Sequence, residues 1–342
     1  MARRFLWASL ALTPAALVAR FAFHADATVL FVLSALALVP LAWLIGEATE
    51  HAAEHTGSGV GGFLNASFGN APELIIGLLA INDGLPNVVR GTIAGSVVSN
   101  ILLVLGFAMI AGGDGKVDTR SLRLQLAAVF GAVLLLLIPS VPRWEGGSSR
   151  HTLFLISLPV AGILLCAYLA ITVHNLRIHR GAAREEADEG AWSLKKALTW
   201  LTVATVATAF VSEVLVHSLE EFGHAVGIGE FFIAVVIVAI VGNASEHGGA
   251  IVIASRGNTQ LATEIAITSS MQVAVFVAPA LALLSWLVGD GLPLSFRVVE
   301  TVTMAAAAVL ATAVVWDGRS RRWEGVALVA AYGLCVVWYA LA

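Results

Sequence analysis

Two short stretches of near-identical sequence constrain this chain most strongly: GNAPE at 69–73 and GNASE at 242–246. Each lies inside a long apolar run. A Gly-Asn step weakens a helix, and Pro72 fits only where a new helical segment begins. A carboxylate inside an apolar membrane segment is costly, so Glu73 and Glu246 are predicted to be functional. Because the two stretches match 173 positions apart, we interpret them as the two halves of one site.

Composition places these stretches in a membrane protein. Of the 342 residues, 58% are hydrophobic and 12% are charged, about half the charged share of a typical soluble domain. The mean hydropathy is +0.89. The sequence therefore predicts an all-α polytopic protein in a lipid bilayer, with no nucleic-acid partner. Cys166 and Cys335 lie in apolar runs and indicate neither a disulfide framework nor a zinc site.

The hydropathy pattern predicts about eleven spans. They are placed at 4–23, 28–48, 62–82, 89–111, 122–141, 152–173, 196–217, 230–253, 262–286, 296–315 and 324–341. The N-terminal segment 1–27 also fits a signal peptide, because Arg3 and Arg4 precede an apolar run that ends near Ala25. Its length and its Pro14 favour retention as a span.

Loop charge predicts the orientation. With a cytoplasmic N-terminus, fourteen of the nineteen Lys and Arg residues lie on the cytoplasmic side. The C-terminus is then outside, and the composition is typical of a prokaryotic plasma (inner) membrane. A cytoplasmic linker at 175–195 contains the acidic run 184–189. It is interpreted as a solvated connector or as a short regulatory or cation-gathering segment.

An internal repeat extends beyond the two pentapeptides. Thr49-Glu50 corresponds to Ser212-Glu213, and GSVVSN at 95–100 corresponds to TSSMQ at 268–272. The segments 28–174 and 196–342 are therefore predicted to be two five-helix repeats. Since five is an odd number, the second copy would enter the membrane inverted, and a substrate site is expected near the midplane.

The chemistry of this site indicates a cation or a proton. Two carboxylates near the midplane must bind a cation or take up protons. Ca²⁺ prefers six to eight oxygen ligands, which carboxylates, amides and backbone carbonyls freed at the glycines supply. The predicted cation- and proton-binding residues are Glu73, Glu246, Asn70, Asn243, Gly69 and Gly242. The predicted supporting or pathway residues are Glu50, Glu213, Ser96, Ser99, Asn100, Ser269, Ser270, Gln272 and His247.

Several roles stay open at this point. The neutral residues of spans 4 and 9 fit ion ligands or interhelical hydrogen bonds. Glu50 and Glu213 fit an aqueous approach or direct contact with the ion, and His247 fits a relay or a packing role. A Na⁺-coupled exchanger, one for another cation such as Mn²⁺, and a channel are the alternatives. His51-Ala-Ala-Glu-His55 matches a zinc-hydrolase pattern, but no third ligand is obvious nearby, so an intramembrane hydrolase is a remote alternative.

The motifs resemble those of the calcium/proton antiporters, the cation exchanger branch of the calcium/cation antiporter superfamily. The resemblance rests on GNAPELIIG at 69–77, GNASEHGGAIV at 242–252, GSVVSNILLVLG at 95–106 and SSMQVAVFVAP at 269–279, and it covers roughly residues 28–341. It implies an eleven-span fold, with Ca²⁺ export driven by proton entry and no cofactor besides these transported ions. Glu73 and Glu246 would carry ion and protons, and a homo-oligomer stays open. Ser245, where Ala is common, and the short acidic connector depart from the pattern.

Overall fold

The computed structural model describes residues 2–146, 148–179, 192–289 and 291–342. This part of the chain is almost entirely helical. The helices are α1 Ala2–Ser9, α2 Leu12–Phe21, α3 Ala27–Phe68, α4 Ala71–Asn82, α5 Pro86–Gly112, α6 Thr119–Trp144, α7 Arg150–His179, α8 Leu194–Val226, α9 Glu230–Gly242, α10 Ala244–Ser255, α11 Thr259–Val288, α12 Val298–Val315 and α13 Arg322–Leu341. Two short antiparallel strands, β1 Gly115–Lys116 and β2 Arg319–Ser320, join the α5–α6 and α12–α13 loops.

The structure confirms the predicted all-α polytopic fold. Within the described residues, eight helices are long and apolar enough to cross a membrane, and α9 and α10 together form one further, bent candidate. The predicted number of eleven is not confirmed. The predicted first span is divided into α1 and α2, each too short to cross alone. The acidic run 184–189 of the predicted linker lies outside the described residues.

The loop predicted between spans 2 and 3 is instead helical. Helix α3 continues through 42 residues, roughly 63 Å at 1.5 Å per residue, about twice the thickness of a hydrocarbon core. Its polar continuation is stabilised by packing: Ala48 and Ala52 are fully buried in a cluster that includes Trp192 and Leu201. The hydropathy of the sequence falls over this part of α3, but hydropathy gives no information about its contact with Trp192, just before α8.

Helices α3 and α8 form the most extensive helix pair in the protein. The rings of Phe31 and Phe222 stack between them with centroids 4.2 Å apart. Helix α2 packs against both helices and buries Ala16 completely. These three helices therefore form one packed unit beside the helices that carry the polar residues.

Three π-helical segments interrupt the α-helices. They span Ser99–Val104 in α5, Ile233–Val238 in α9 and Val273–Val277 in α11. Two of them begin at the end of the polar runs GSVVSN and TSSMQ. A π segment widens the helix locally and often accompanies a functional site. Here the segments in α5 and α11 contain or directly follow the predicted site residues Asn100 and Gln272.

The connection between α11 and α12 is an extended, buried segment, residues 291–297, which we term the strap. Its backbone bonds to side chains of four helices. The N–H groups of Leu292, Leu294 and Phe296 donate to the hydroxyls of Ser285, Ser157 and Ser140, at 2.7, 2.8 and 2.9 Å. The carbonyls of Gly291, Pro293, Ser295 and Phe296 accept from Arg150, Arg90, Arg143 and Trp144. A buried non-helical backbone is tolerated here because its polar groups are satisfied in this way.

Gly95 marks a close contact between α5 and the π segment of α9. A Cβ atom at this position would lie 2.0 Å from the carbonyl oxygen of Val235 and 2.8 Å from the Cβ of Ala239. We expect Gly95→Ala to force the two backbones apart and to destabilise the fold by about 1–3 kcal/mol or more. The measurement is the melting temperature of the purified protein in detergent. Gly131→Ala is the matched control, because nothing lies within 4 Å of its Cβ position. Equal melting temperatures for Gly95→Ala and wild type would contradict the expectation.

Candidate cation site

The first signature forms a break between two helices. Helix α3 ends at Phe68, Gly69 and Asn70 form a turn, and α4 begins at Ala71 with Pro72 in its first turn. This is the position that proline favours, because no helical hydrogen bond is lost there. Glu73 follows in the same first turn and is only 5% exposed. The N-terminal end of α4 carries a partial positive charge that favours a carboxylate.

The second signature repeats this local geometry. Helix α9 ends at Gly242, Asn243 alone separates it from α10, and the two helix axes are bent by 58°. Asn243 has φ −93° and ψ 14°, and Asn70 has φ −100° and ψ 16°. Glu246 lies in the first turn of α10, as Glu73 does in α4. Each break is therefore only one or two residues long.

The two glutamates meet in the interior. The Cγ and Oε1 atoms of Glu73 lie 3.6 Å from the Cβ position of Gly242, so this carboxylate rests against the second signature. Glu246 repels it electrostatically. The Ser269 side chain lies beside Glu246. Within the described part of the chain, the Oε2 atoms of both glutamates are buried and have no hydrogen-bond partner. Two unpaired carboxylate oxygens in an apolar interior require a cation or protons.

A very small cavity of about 10 Å³ lies beside Glu73. Its polar lining consists of Glu73, Ser96 and Thr92, and its apolar lining includes Val273 and Leu281. The Thr92 hydroxyl is buried and, among the described residues, has no hydrogen-bond partner. Sequence analysis missed Thr92. Its position one helical turn before Ser96 on α5 is the signal that could have identified it.

The structure brings most of the predicted supporting residues to the two signatures. Asn70 donates to the Oε1 of Gln272 at 3.1 Å, which joins the first signature to α11. Ser270 donates to the carbonyl of Val97 at 2.9 Å, which joins α11 to α5. Ser99 differs, because its hydroxyl donates only within α5, to the carbonyl of Ser96 at 3.3 Å. Ser99 is therefore placed as a helix-internal residue in this conformation.

The second signature is bonded to α5 by a connected set of side chains. Asn243 donates to the Ser96 hydroxyl at 2.8 Å and accepts from Asn100 at 3.2 Å. His247 lies with its Nε2 atom 2.9 Å from the Oδ1 of Asn100. The amide oxygen of Asn243 thus faces Asn100, whereas the sequence predicts it as an ion ligand. A buried amide surrounded by side-chain donors and acceptors bonds to them, and periodicity alone does not reveal those neighbours.

Glu50 and Glu213 lie away from this buried cluster. Both are exposed side chains, on α3 and α8 respectively. These two helices pack against each other. Neither glutamate is a ligand of the buried site in this conformation, and the aqueous approach stays a prediction.

The two histidines of the zinc-hydrolase pattern contact Trp192, just before α8. The ring of His51 stacks on Trp192 with centroids 4.9 Å apart, and His55 Nε2 donates to the Trp192 carbonyl at 2.6 Å. Across the described ranges, no three His, Cys, Asp or Glu side chains are grouped so that they could hold a metal ion. The two histidines therefore help to fix α3 against α8.

We expect the double variant His51→Ala/His55→Ala to leave metal content and cation flux largely intact. Its melting temperature should fall, because the ring stacking and the bond to Trp192 are lost. Elemental analysis of the purified protein and flux in proteoliposomes test this. Stoichiometric Zn²⁺ in the wild type that disappears in the double variant would support the hydrolase alternative instead.

Comparisons with known proteins show which family and which proteins this chain resembles. The model of the sodium/calcium exchanger protein family matches residues 27–177 and 196–341. The chain is 37% identical to the Ca²⁺/H⁺ antiporter ChaA of Bacillus subtilis (strain 168) over 331 residues, which cover 93% of each protein. It is 34% identical to the vacuolar calcium ion transporter of Schizosaccharomyces pombe over 342 residues, which cover 96% of this chain and 82% of that protein.

Solved structures give the same relationship. The structure of native YfkE aligns with a TM-score of 0.85 and 33% identity, over 98% of this chain and 100% of YfkE. The H⁺/Ca²⁺ exchanger CAX aligns with a TM-score of 0.77 at 19% identity, over 99% of this chain and 92% of the exchanger, which shows a shared fold.

Proposed function

The chain belongs to the sodium/calcium exchanger protein family, and we propose that it is a secondary antiporter that exchanges Ca²⁺ for H⁺. It is a multi-pass membrane transporter and not an enzyme. The observation that carries the proposal is the pair Glu73 and Glu246, which approach each other from two matched helix breaks and leave one carboxylate oxygen each without a partner. Relatives named as Ca²⁺/H⁺ antiporters support Ca²⁺ and H⁺ as the exchanged ions.

Charge neutrality couples the two ions. One Ca²⁺ neutralises the ionised pair, and so do two protons, one on each carboxylate. A loaded site can therefore change its exposure from one side to the other within a low-dielectric interior, whereas an empty, doubly charged site cannot. Two protons per Ca²⁺ is the simplest exchange that this rule permits. The transport cycle is then alternating access with the pair as the shared site.

The oxygen set suits a hard cation. Ca²⁺ takes six to eight oxygen ligands at 2.3–2.6 Å, from carboxylates, carbonyls, amides and water. Glu73 and Glu246 supply the charge, and the hydroxyls of Thr92 and Ser96 lie beside Glu73. Backbone carbonyls at Gly69 and Gly242 and the amide of Asn70 complete the proposed set.

The proposed orientation has the N-terminus in the cytoplasm and the C-terminus outside, in the plasma membrane of a prokaryote, with Ca²⁺ exported. The excess of Lys and Arg in the predicted cytoplasmic segments supports it. Two inverted five-helix halves, 28–174 and 196–342, are part of the same proposal. The family model leaves most of the predicted linker unmatched, between 177 and 196, which supports this division.

Cysteine labelling tests this topology. In a background lacking Cys166 and Cys335, a cysteine at position 187 should react with an impermeant maleimide only from the cytoplasmic side. A cysteine appended after Ala342 should react only from outside, because five spans separate the two positions. Labelling of both positions from one side would contradict the odd number of spans and the inverted repeat.

The competing candidates within the family are a Na⁺-coupled exchanger and one for another cation such as Mn²⁺. The deciding experiment is ⁴⁵Ca²⁺ uptake into proteoliposomes with an imposed pH gradient, compared with an imposed Na⁺ gradient. We expect uptake driven by the pH gradient alone. Uptake that requires the Na⁺ gradient would overturn the proton coupling, and stronger competition by Mn²⁺ than by unlabelled Ca²⁺ would change the preferred cation.

A further inference from the structure

A chain of four hydrogen-bonded side chains joins the second signature region to α5. It runs from His247 on α10 to Asn100 on α5, then to Asn243 in the second signature, and finally to Ser96 on α5. All four side chains are buried. We infer that this chain is a one-directional positioning network and that His247 is a positioning residue for Ca²⁺ binding at Glu73. The inference rests on the proposed function.

A backbone carbonyl fixes the direction of every bond in the chain. The Asn243 side chain lies 2.9 Å from the carbonyl oxygen of Ala239, which can only accept, so the atom facing it is the amide nitrogen. The other Asn243 atom is then the oxygen, and it accepts from the Asn100 nitrogen. The Asn100 oxygen is left for His247, so the Nε2 of His247 carries a hydrogen and donates.

The chain ends at the cavity beside Glu73. Ser96 accepts from Asn243, so its own hydroxyl hydrogen remains for another acceptor. Ser96 and Glu73 line the same cavity, and the Oε2 of Glu73 lacks a hydrogen-bond partner among the described residues. Every donor in the chain therefore points from His247 toward the Glu73 side of the site. Reversing any one amide would place two donors or two acceptors face to face.

The network joins the two halves of the protein, and the described residues form no second, symmetry-related copy of it. With the register that matches Glu73 to Glu246, Asn243 corresponds to Asn70 and Ser96 corresponds to Ser269. The position matching His247 is Leu74, and the position matching Asn100 is Val273. These two residues form no polar side-chain bonds. The two carboxylates thus differ in their surroundings: the Ser269 side chain lies beside Glu246, whereas the chain of four side chains ends at the cavity that Glu73 lines.

This asymmetry separates the role of Asn243 from that of Asn70, its counterpart in the first signature. The amide oxygen of Asn243 is held against Asn100, so the hydroxyl of Ser96, oriented by Asn243, is the oxygen offered to an ion beside Glu73. His247 acts by holding the amides in one orientation and has no need to exchange a proton during transport. Loss of its N–H would free Asn100 to rotate, so that Asn243 would be held by the carbonyl of Ala239 alone and Ser96 would be oriented less firmly.

The test uses His247→Leu and Ser96→Ala in the full-length protein, with His247→Gln as the conservative variant. Gln presents an N–H at a similar distance from the backbone as the Nε2 of His. We expect the KM for Ca²⁺ to rise about 10- to 100-fold in His247→Leu and Ser96→Ala, the range found for residues that orient metal ligands, with a much smaller change in kcat. His247→Gln should restore the KM and keep the wild-type pH profile.

Ser34→Ala is the control, because this buried hydroxyl donates only to carbonyls of its own helix.

Equilibrium ⁴⁵Ca²⁺ binding in detergent gives the same comparison without transport. If the wild type binds Ca²⁺ but shows no exchange with protons, the proposed function fails while the network is still tested by binding. A wild-type Ca²⁺ affinity in Ser96→Ala overturns the network, and this small substitution decides the matter if His247→Leu does not fold. A changed pH profile in His247→Gln also overturns it, because His247 would then exchange a proton.

Discussion

Ca²⁺ transport is expected to be abolished in Glu73→Gln and in Glu246→Gln. Each substitution preserves the size of the side chain but removes one charge and one proton acceptor. A single carboxylate would leave bound Ca²⁺ with an uncompensated charge in the interior. Breaking a buried charged group in this way costs about 3–5 kcal/mol, which corresponds to roughly 10²- to 10³-fold or more in affinity. The measurement is ⁴⁵Ca²⁺ flux in proteoliposomes.

The control for this pair is Glu145→Gln, the same change at an exposed position after α6. It should retain wild-type flux. The melting temperature of ion-free Glu73→Gln should equal or exceed that of the wild type, because the repulsion between two buried carboxylates is removed. This separates a transport defect from a folding defect. Near-normal flux in either glutamine variant would contradict the assignment of the pair.

Ca²⁺ binding is expected to weaken steeply as the pH falls. Protons and Ca²⁺ compete for the same two carboxylates, so an ion that binds the protonated pair must displace its protons. Each displaced proton changes the apparent affinity by about tenfold per pH unit, and two protons by about 100-fold. The sign follows directly: lower pH favours the protonated pair and therefore disfavours Ca²⁺.

Equilibrium ⁴⁵Ca²⁺ binding to the solubilised protein between about pH 5 and pH 8 tests this competition, the window in which buried carboxyls commonly titrate. The two carboxylates interact, so the wild type should titrate as a pair with two macroscopic steps. Glu246→Gln leaves one titrating carboxylate, and any residual Ca²⁺ binding should follow the slope for one proton. Binding that is independent of pH would show that the ion and the protons do not share the site.

The paired signatures are the part of this protein that the sequence predicts best. The Gly-Asn step, Pro72 and the glutamates are local signals, and each has a direct backbone consequence in the structure. The all-α fold follows similarly from long apolar runs. The match at 173 positions then brings Glu73 and Glu246 together without any knowledge of helix packing.

Other features depend on contacts that sequence does not contain. The continuation of α3 beyond the apolar run depends on burial of Ala48 and Ala52 against Trp192. The orientation of Asn243 depends on the carbonyl of Ala239, a backbone atom that every sequence contains. The importance of Thr92 depends on the cavity beside it. In each case the determining partner is identified by position in three dimensions and not by residue type.

The strap has a mechanical consequence for the transport cycle. Its backbone is bonded to Arg90 of α5, Ser140 of α6, Ser157 of α7 and Ser285 of α11. If any two of these helices slid past each other, buried donors and acceptors would lose their hydrogen-bond partners, at a cost of about 1–3 kcal/mol of stability for each unsatisfied group. The four helices must then travel as a rigid body. Under the proposed function, we expect the displacement that opens the site to one side and then the other to fall to the packed unit of α2, α3 and α8, with the break at Gly69-Asn70, at the end of α3, as its hinge.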